Sequence, residues 1–355
     1  MTEDPIRKIL ARLCFVLLLG SFLSCKESSD KNFSAEEAKR SYELITGTTM
    51  GTYYRITANC IDYSKIQSSI DSLLLEINSA VSTYEPESFI AQINASKAGT
   101  PFDDYPEHFD VNLRSAQNWY EQSEGYLDVS IMPLVNHWGF GYHEKRAVTE
   151  VDSTYVEGIF RYIGLNKWKI DKDGLSKTYD EQQLDFSALA KGYAVDQVGE
   201  LLVSKGCSDF LIDVGGEYVA KGLNAKGAVW TIGLSTPSPD AKPTDVELAI
   251  KLDNQALASS GNYRNYHEVD GKKYGHTLDP KTGYPYQDEL LGVTIITDQC
   301  IDADAIATAC MAMGYRKAVT FIDQLPDVSA CFLIGDDKGT ITSKFANGFI
   351  RSVIQ

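Results

Sequence analysis

Asp185, Ser187 and Lys191 fall close together in the stretch LDFSALAKGYAVD, residues 184–196, where they bring a carboxylate, a hydroxyl and an ammonium to the start of a helix. Apolar residues recur behind them at Leu189, Tyr193, Ala194, Val198, Leu201 and Leu202, the spacing of one buried helical face. Ser187 has the side chain of an N-cap, and Gly206 ends the pattern. A helix start offers unpaired N–H groups and partial positive charge, so Lys191 one turn in could complete a cradle for a phosphate or another anion. Taken alone, the stretch reads equally as a capped amphipathic helix with a solvated lysine.

Two other groups of residues stand out. In ASSGNYRNYHEVDGKKYGHTLDPKTGYP, residues 258–285, Asp270 and Gly271 predict a two-residue hairpin turn. That turn pairs 274–278 with 263–269 and sets His276 on a strand, just before a tight turn at 279–283. A histidine with a pKa near ~6.5 can take a hydroxyl proton at neutral pH, although a lone strand histidine is usually structural. Asp304 and Thr308 lie four apart in a predicted helix that opens near Asp302 and ends at Gly314, so they share one face. Locally, Asp302 or Asp304 reads as well as an N-cap and Thr308 as filler.

In chain order these stretches resemble the motifs of the ApbE family, the FAD:protein FMN transferases. The signature "D, two small residues, AKG, then a second D" is matched at 185–196, and an "MGT" turn at 50–52. Tyr84 and Ser88 lie in VSTYEPESFIAQIN, similar to "S-x-Y-x-x-x-S-x-(I/L)-x-x-(I/L)-N". Residues 128–141 are close to "D-x-(T/S)-x-x-P-L-V-x-x-W-G-F-G", Gly215 and Gly216 are similar to a "GG", and 259–285 closely resemble "SGxYxR…DGxxYxHIxDPxTGxP". The resemblance covers about 42–335. Ser187 and Ala188 stand where glycines are common, Leu189 replaces an isoleucine, and His137 falls at an apolar or variable position and receives no catalytic role.

The resemblance implies a site and a reaction. Met50, Tyr84, Tyr126, Leu127, Asp128, Asp185, Lys191 and Leu278 would contact FAD, Leu278 through its main chain. An aromatic face at Tyr84 stacked on a flavin or adenine ring contributes roughly 0.5–1.5 kcal/mol beyond area burial. His276 would be the general base. Mg²⁺ would be held by Asp304, Thr308 and the Ala188 carbonyl, few oxygen ligands that leave room for water and phosphate. The implied chemistry is transfer of the FMN half of FAD to a Ser or Thr hydroxyl of an acceptor protein, with AMP leaving. The implied acceptors are flavin-carrying subunits of membrane electron-transport complexes outside the cytoplasm. Two other readings remain: hydrolysis of FAD to FMN and AMP, and a non-catalytic FAD-binding lipoprotein.

The elements that must position these residues read as α+β, mainly antiparallel sheets flanked by helices, and the resemblance implies a T-fold-like architecture. Ile66, Ile70, Leu73, Leu74, Ile77 and Val81 predict one buried-face helix, 111–124 and 151–163 predict two more, and Ser88 caps a short one. Strands are expected at 42–57, on either side of Gly215 and Gly216, and at 229–234, 246–252, 256–260, 292–297 and 330–335. Trp138 and Phe140, aromatics between glycines, are expected in the core. No GxGxxG follows a strand, which removes the main support for a dinucleotide-binding Rossmann fold.

With 355 residues, 43% of them hydrophobic, the chain can bury a large core, and a net charge of −16 argues against nucleic acid as a partner. Arg7, Lys8 and Arg12 precede a short apolar run at 13–23 that ends at Cys25. Residues 1–24 read as a lipoprotein signal peptide, Cys25 as its acylated residue in a bacterial cell envelope, and 25–41 as a polar tether before the domain at 42–355. Such a protein would be lipid-anchored to a membrane and face the extracytoplasmic side. The remaining cysteines, Cys60, Cys207, Cys300, Cys310 and Cys331, are odd in number and lack a CxxC pair. Most of them are expected as buried small hydrophobes, and neither a disulfide scaffold nor a zinc knuckle is expected.

Overall fold

A computed structural model describes residues 41–141, 152–171, 174–235, 246–262, 266–269, 272–285, 289–336 and 340–354. The expected signal segment, Cys25 and the turn at 270–271 lie outside them. The chain enters through a hairpin of β1 (Tyr42–Thr49) and β2 (Thr52–Asn59). Its two turn residues, Met50 and Gly51, have φ of 49° and 72°, and two successive left-handed residues give the turn the twist that a two-residue hairpin needs.

Helices follow where apolar spacing placed them. In α1 (Ile66–Val81) the buried residues include Ile66, Ile70, Leu74 and Ile77. Ser88 accepts the Ala91 N–H and caps α2 (Phe89–Ala95). Next come α3 (Glu107–Gln122), the one-and-a-half-turn α4 (Met132–His137), α5 (Ser153–Phe160) and a small ribbon of β3 (Lys169–Asp171) and β4 (Gly174–Ser176). The central helix is α6 (Ala190–Ser204). A hairpin of β5 (Asp209–Val214) and β6 (Glu217–Lys221) turns at Gly215 and Gly216, with φ of 63° and 106°. Then follow β7 (Trp230–Ser235), β8 (Val246–Leu252), β9 (Ala256–Gly261), β10 (Tyr266–Val269), β11 (Lys272–Gly275) and β12 (Leu290–Thr297). The chain closes with α7 (Cys300–Met313), α8 (Tyr315–Ile322), β13 (Ser329–Gly335) and β14 (Ile341–Ala346).

Eight strands form one sheet in the order β1-β2-β5-β6-β9-β12-β13-β14, and every neighbouring pair is antiparallel. The sheet is covered on both faces. Ile70 and Ile77 of α1, Val195 and Val198 of α6 and Ile306 of α7 join Ile56, Ile212 and Ile295 of the sheet in the main core. A second core forms where the β7–β8 ribbon sets Trp230, Ile232, Ile250 and Leu252 beside Leu257, Ile296 and Leu333. The expected antiparallel sheet flanked by helices is therefore what the chain forms. Because α7 is enclosed nearly all round, it lacks a broad solvent-exposed face: Ala303, Asp304, Ala305, Ile306, Ala307 and Ala309 are all buried.

Three of the five cysteines beyond Cys25 are the buried small hydrophobes expected, and the other two are paired. Cys300, Cys310 and Cys331 are free and buried, but Cys60 and Cys207, separated by 147 residues, form a disulfide. The pairing of β2 with β5 explains it, since the register sets Asn59 opposite Asp209 and so brings the flanking segments together. Sequence spacing does not reveal a contact made by strand register.

Candidate functional site

A cavity of about 480 Å³ opens among the start of α6, the inward side of α7, the segment 126–135, the first residues of β6, the end of β9 and the stretch 276–278. Eleven of the twelve residues expected at the site within 42–355 line it: Tyr84, Tyr126, Leu127, Asp128, Asp185, Ala188, Lys191, His276, Leu278, Asp304 and Thr308. Met50 is the exception. It is held in the β1–β2 turn, half-buried against the main core, and is not part of the lining.

The cationic centre is Lys191 in the first turn of α6. Its Nζ lies 2.7 Å from Glu217 Oε1 and 3.8 Å from Asp304 Oδ2. Burial works against the Lys191 ammonium, but the carboxylates of Asp304 and Glu217 outweigh it and hold its pKa above the ordinary value. Burial pushes Glu217 up, with Lys191 opposing and Asp304 reinforcing. Asp304 Oδ2 also accepts the backbone N–H of Gly192 at 3.1 Å. That bond needs the two helices nearly in contact: a Cβ on Gly192 would stand 2.2 Å from the Cys300 carbonyl oxygen. The glycine of the AKG stretch is thus required by helix packing. Asp196, one turn further on, accepts the N–H groups of both Cys300 and Ile301 at 2.9 Å and so pins the start of α7.

Ser187 does not cap α6. The helix begins at Ala190, and the Ser187 N–H and hydroxyl both donate to Asp185 Oδ1, at 2.9 and 2.5 Å. The turn at 187–189 delays the helix to Ala190 and puts Leu189 in the cap position, so Ser187 lies too early to cap and instead closes a turn onto Asp185. Burial raises the Asp185 pKa, and the two Ser187 bonds pull against it. Asp185 N donates to the Val129 carbonyl, which ties this turn to the segment carrying Leu127 and Asp128. Asp128 is itself buried and takes both the N–H and the hydroxyl of Ser130; burial raises its pKa. Tyr84, 66% exposed, also lines the cavity. Tyr126 has the ammonium groups of Lys317 and Lys281 at 4.9 and 5.5 Å from its ring centre.

His276 lies one residue beyond the end of β11, not on the strand as the spacing predicts, because the pairing of β10 with β11 stops at Tyr266 and Gly275. A small core steers it. Trp138, 1% exposed, stacks on Tyr274 at 5.5 Å and donates its Nε1–H to the Gly283 carbonyl, gripping both sides of the 276–283 stretch. Phe140 meets the His276 ring edge-to-face at 6.2 Å and lines the cavity, so it is not wholly a core residue. Leu278 is buried and bridges to Pro285. His137 stacks on Tyr155 and does not line the cavity.

Among the described residues no cluster of three or more His, Cys, Asp or Glu side chains is arranged to hold a metal. The cavity does hold the Asp304 carboxylate, the Thr308 hydroxyl and Ala188. Thr308 Oγ1 lies 3.3 Å from Ser260 Oγ. These donors are all oxygen and few, a set that fits a hard cation retaining waters and sharing phosphate oxygens, as Mg²⁺ does, and does not fit zinc. Glu217 and Ser260 escaped the sequence reading. An acid directly after a glycine pair, in a strand that then continues Tyr-Val-Ala, was the available signal for Glu217.

The ApbE family model matches residues 50–332. The FAD:protein FMN transferase of Vibrio cholerae is 36% identical over 288 residues, spanning 79% of this chain and 85% of that protein. The protein of the same name from Haemophilus influenzae is 33% identical over 311 residues, spanning 84% and 88%. Among solved structures, the flavin transferase ApbE from Vibrio cholerae superposes with a TM-score of 0.79 at 31% identity, covering 88% of this chain and 99% of that one. The ApbE protein of Thermotoga maritima gives 0.77 at 26% identity, covering 89% and 100%.

Proposed function

The chain belongs to the ApbE family, and from that premise we propose that it is an FAD:protein FMN transferase that moves FMN from FAD to a Ser or Thr hydroxyl of an acceptor protein and releases AMP. The observation that carries this reading is the meeting in one cavity of His276, Lys191, Asp304 and Thr308, which come from three distant segments. Lys191 meets the pyrophosphate with positive charge beside the N-terminal turn of α6, where backbone N–H groups favour anions. Tyr84 of the lining offers a face for a ring, and the 126–128 segment and Leu278 line the same cavity. His276 takes the proton of the acceptor hydroxyl as its oxygen bonds to the FMN-side phosphorus. The bond from that phosphorus to the bridging oxygen breaks, and AMP leaves with the electron pair. Asp304, Thr308 and the Ala188 carbonyl would hold Mg²⁺, whose charge offsets that of the pyrophosphate.

The acceptors are flavin-carrying subunits of membrane electron-transport complexes, and the protein works on the extracytoplasmic side of a bacterial membrane, held there by acyl chains on Cys25. The Cys60–Cys207 bridge supports that address, because disulfides persist mainly in oxidising compartments. AMP release measured with FAD and Mg²⁺, with and without an acceptor subunit, tests the reaction. Release that requires the acceptor and tracks its labelling supports transfer. FMN and AMP formed equally without it mean hydrolysis, and no AMP with a verified acceptor means a binding protein.

A further inference from the structure

Glu217 opens β6 directly after the Gly215–Gly216 turn and points one carboxylate oxygen at Lys191. Its other oxygen, Oε2, is buried and has no hydrogen-bond partner among the described residues. The side chain is 4% exposed and lines the cavity, so the unpartnered atom belongs to the site and not to the surface. A buried carboxylate oxygen left without a donor is unfavourable, and native structures seldom leave one. Within the ion pair with Lys191, whose Nζ lies 2.7 Å from the other oxygen, the carboxylate presents Oε2 as an acceptor. A donor that satisfies it must enter through the cavity that Glu217 lines, carried by a bound ligand or, in its absence, by water. A phosphate would be repelled, whereas a hydroxyl would be bound. The two ends of one ion pair thus select opposite features, an anion at Lys191 and a hydroxyl beside it at Glu217. A flavin dinucleotide has hydroxyl-bearing carbons on both sides of its pyrophosphate.

We propose that Glu217 is a specificity-determining residue: one oxygen fixes Lys191 while the other accepts a hydrogen bond from a ribityl or ribose hydroxyl of the bound flavin dinucleotide. The assignment rests on the transferase reading above and adds a contact to it. It makes Glu217 part of ligand recognition, so that its loss changes which dinucleotides bind and not merely how stable the fold is.

The test is a binding cycle, read by quenching of flavin fluorescence. FAD and analogues that each lack one ribityl or ribose hydroxyl are titrated against the unmutated protein and Glu217→Ala. One analogue should bind the unmutated protein about tenfold or more weakly than FAD, the scale of a hydrogen bond to a charged group. Glu217→Ala should bind that analogue and FAD equally. Should the alanine variant not fold, Glu217→Gln takes its place, and its discrimination against that analogue must shrink. Losses that are the same factor on both proteins, or no loss with any analogue, overturn the assignment. An unmutated protein that binds no FAD overturns the transferase reading as well, whereas FAD binding with additive losses overturns the Glu217 contact alone.

Discussion

The carboxylate of Asp196 on α6 accepts the backbone N–H of Cys300 at the start of α7, 2.9 Å away. With a second bond to Ile301, it ties together the two helices that bear Lys191 and Asp304. Burial lifts Asp196 to about 7 from an ordinary 3.8, against the pull of the two N–H groups. A carboxyl whose folded pKa is raised holds its proton more tightly in the native state. Its contribution to stability is therefore complete below about pH 4 and is lost as pH rises through about 7. Asp196→Asn has no proton to lose. Urea unfolding should show the variant gaining on the unmutated protein from pH 5 to pH 8, at up to about 1.4 kcal/mol per pH unit. A difference independent of pH would contradict this.

Gly192 sits where a Cβ would meet the Cys300 carbonyl oxygen at 2.2 Å, a backbone atom that cannot swing aside. Gly192→Ala should force α6 and α7 apart, cost about 1–3 kcal/mol of stability and disturb the bond from Gly192 N to Asp304. Thermal unfolding checks the first effect, and the Mg²⁺ concentration that gives half-maximal rate in the proposed transfer checks the second. An alanine variant as stable as the parent would show that the helices have room to spare.

Reduction of Cys60–Cys207, or Cys60→Ala with Cys207→Ala, opens a loop of 147 residues. The expected loss is about 2–5 kcal/mol, seen as a lower urea midpoint with reductant than without. The double variant should be insensitive to reductant; unchanged unfolding of the parent on reduction would mean the bridge adds nothing.

Asp304→Asn keeps an acceptor for the Gly192 N–H but removes a charge facing Lys191 and the proposed cation. The Mg²⁺ concentration for half-maximal transfer should rise by roughly tenfold or more, since even outer-shell changes act on that scale. An unaltered Mg²⁺ dependence would remove Asp304 from cation binding.

Much of this arrangement was legible in sequence because it rests on local rules. The spacing of Ile66, Ile70, Leu74 and Ile77 gave α1, and Gly215–Gly216 gave the β5–β6 hairpin. Asp304 and Thr308 share a face because helical geometry requires it. What escaped depends on contacts between distant segments. Ser187 had the right type for an N-cap, yet the helix starts three residues later and leaves Leu189 in the cap position. Cys60 and Cys207 meet through strand register, and Glu217 enters the site only because β6 runs beside the start of α6. Met50 shows the reverse: its motif matched, while the hairpin holds it outside the cavity lining.

The most direct test of the central claim is the intact mass of an acceptor subunit after incubation with FAD, Mg²⁺ and either the unmutated protein or His276→Ala. The unmutated protein should add one FMN through a phosphoester. The variant should bind FAD yet label the acceptor about 10²–10⁴-fold more slowly, the usual contribution of a positioned base. Equal labelling by both proteins, or an unmodified acceptor beside free FMN, would contradict the account.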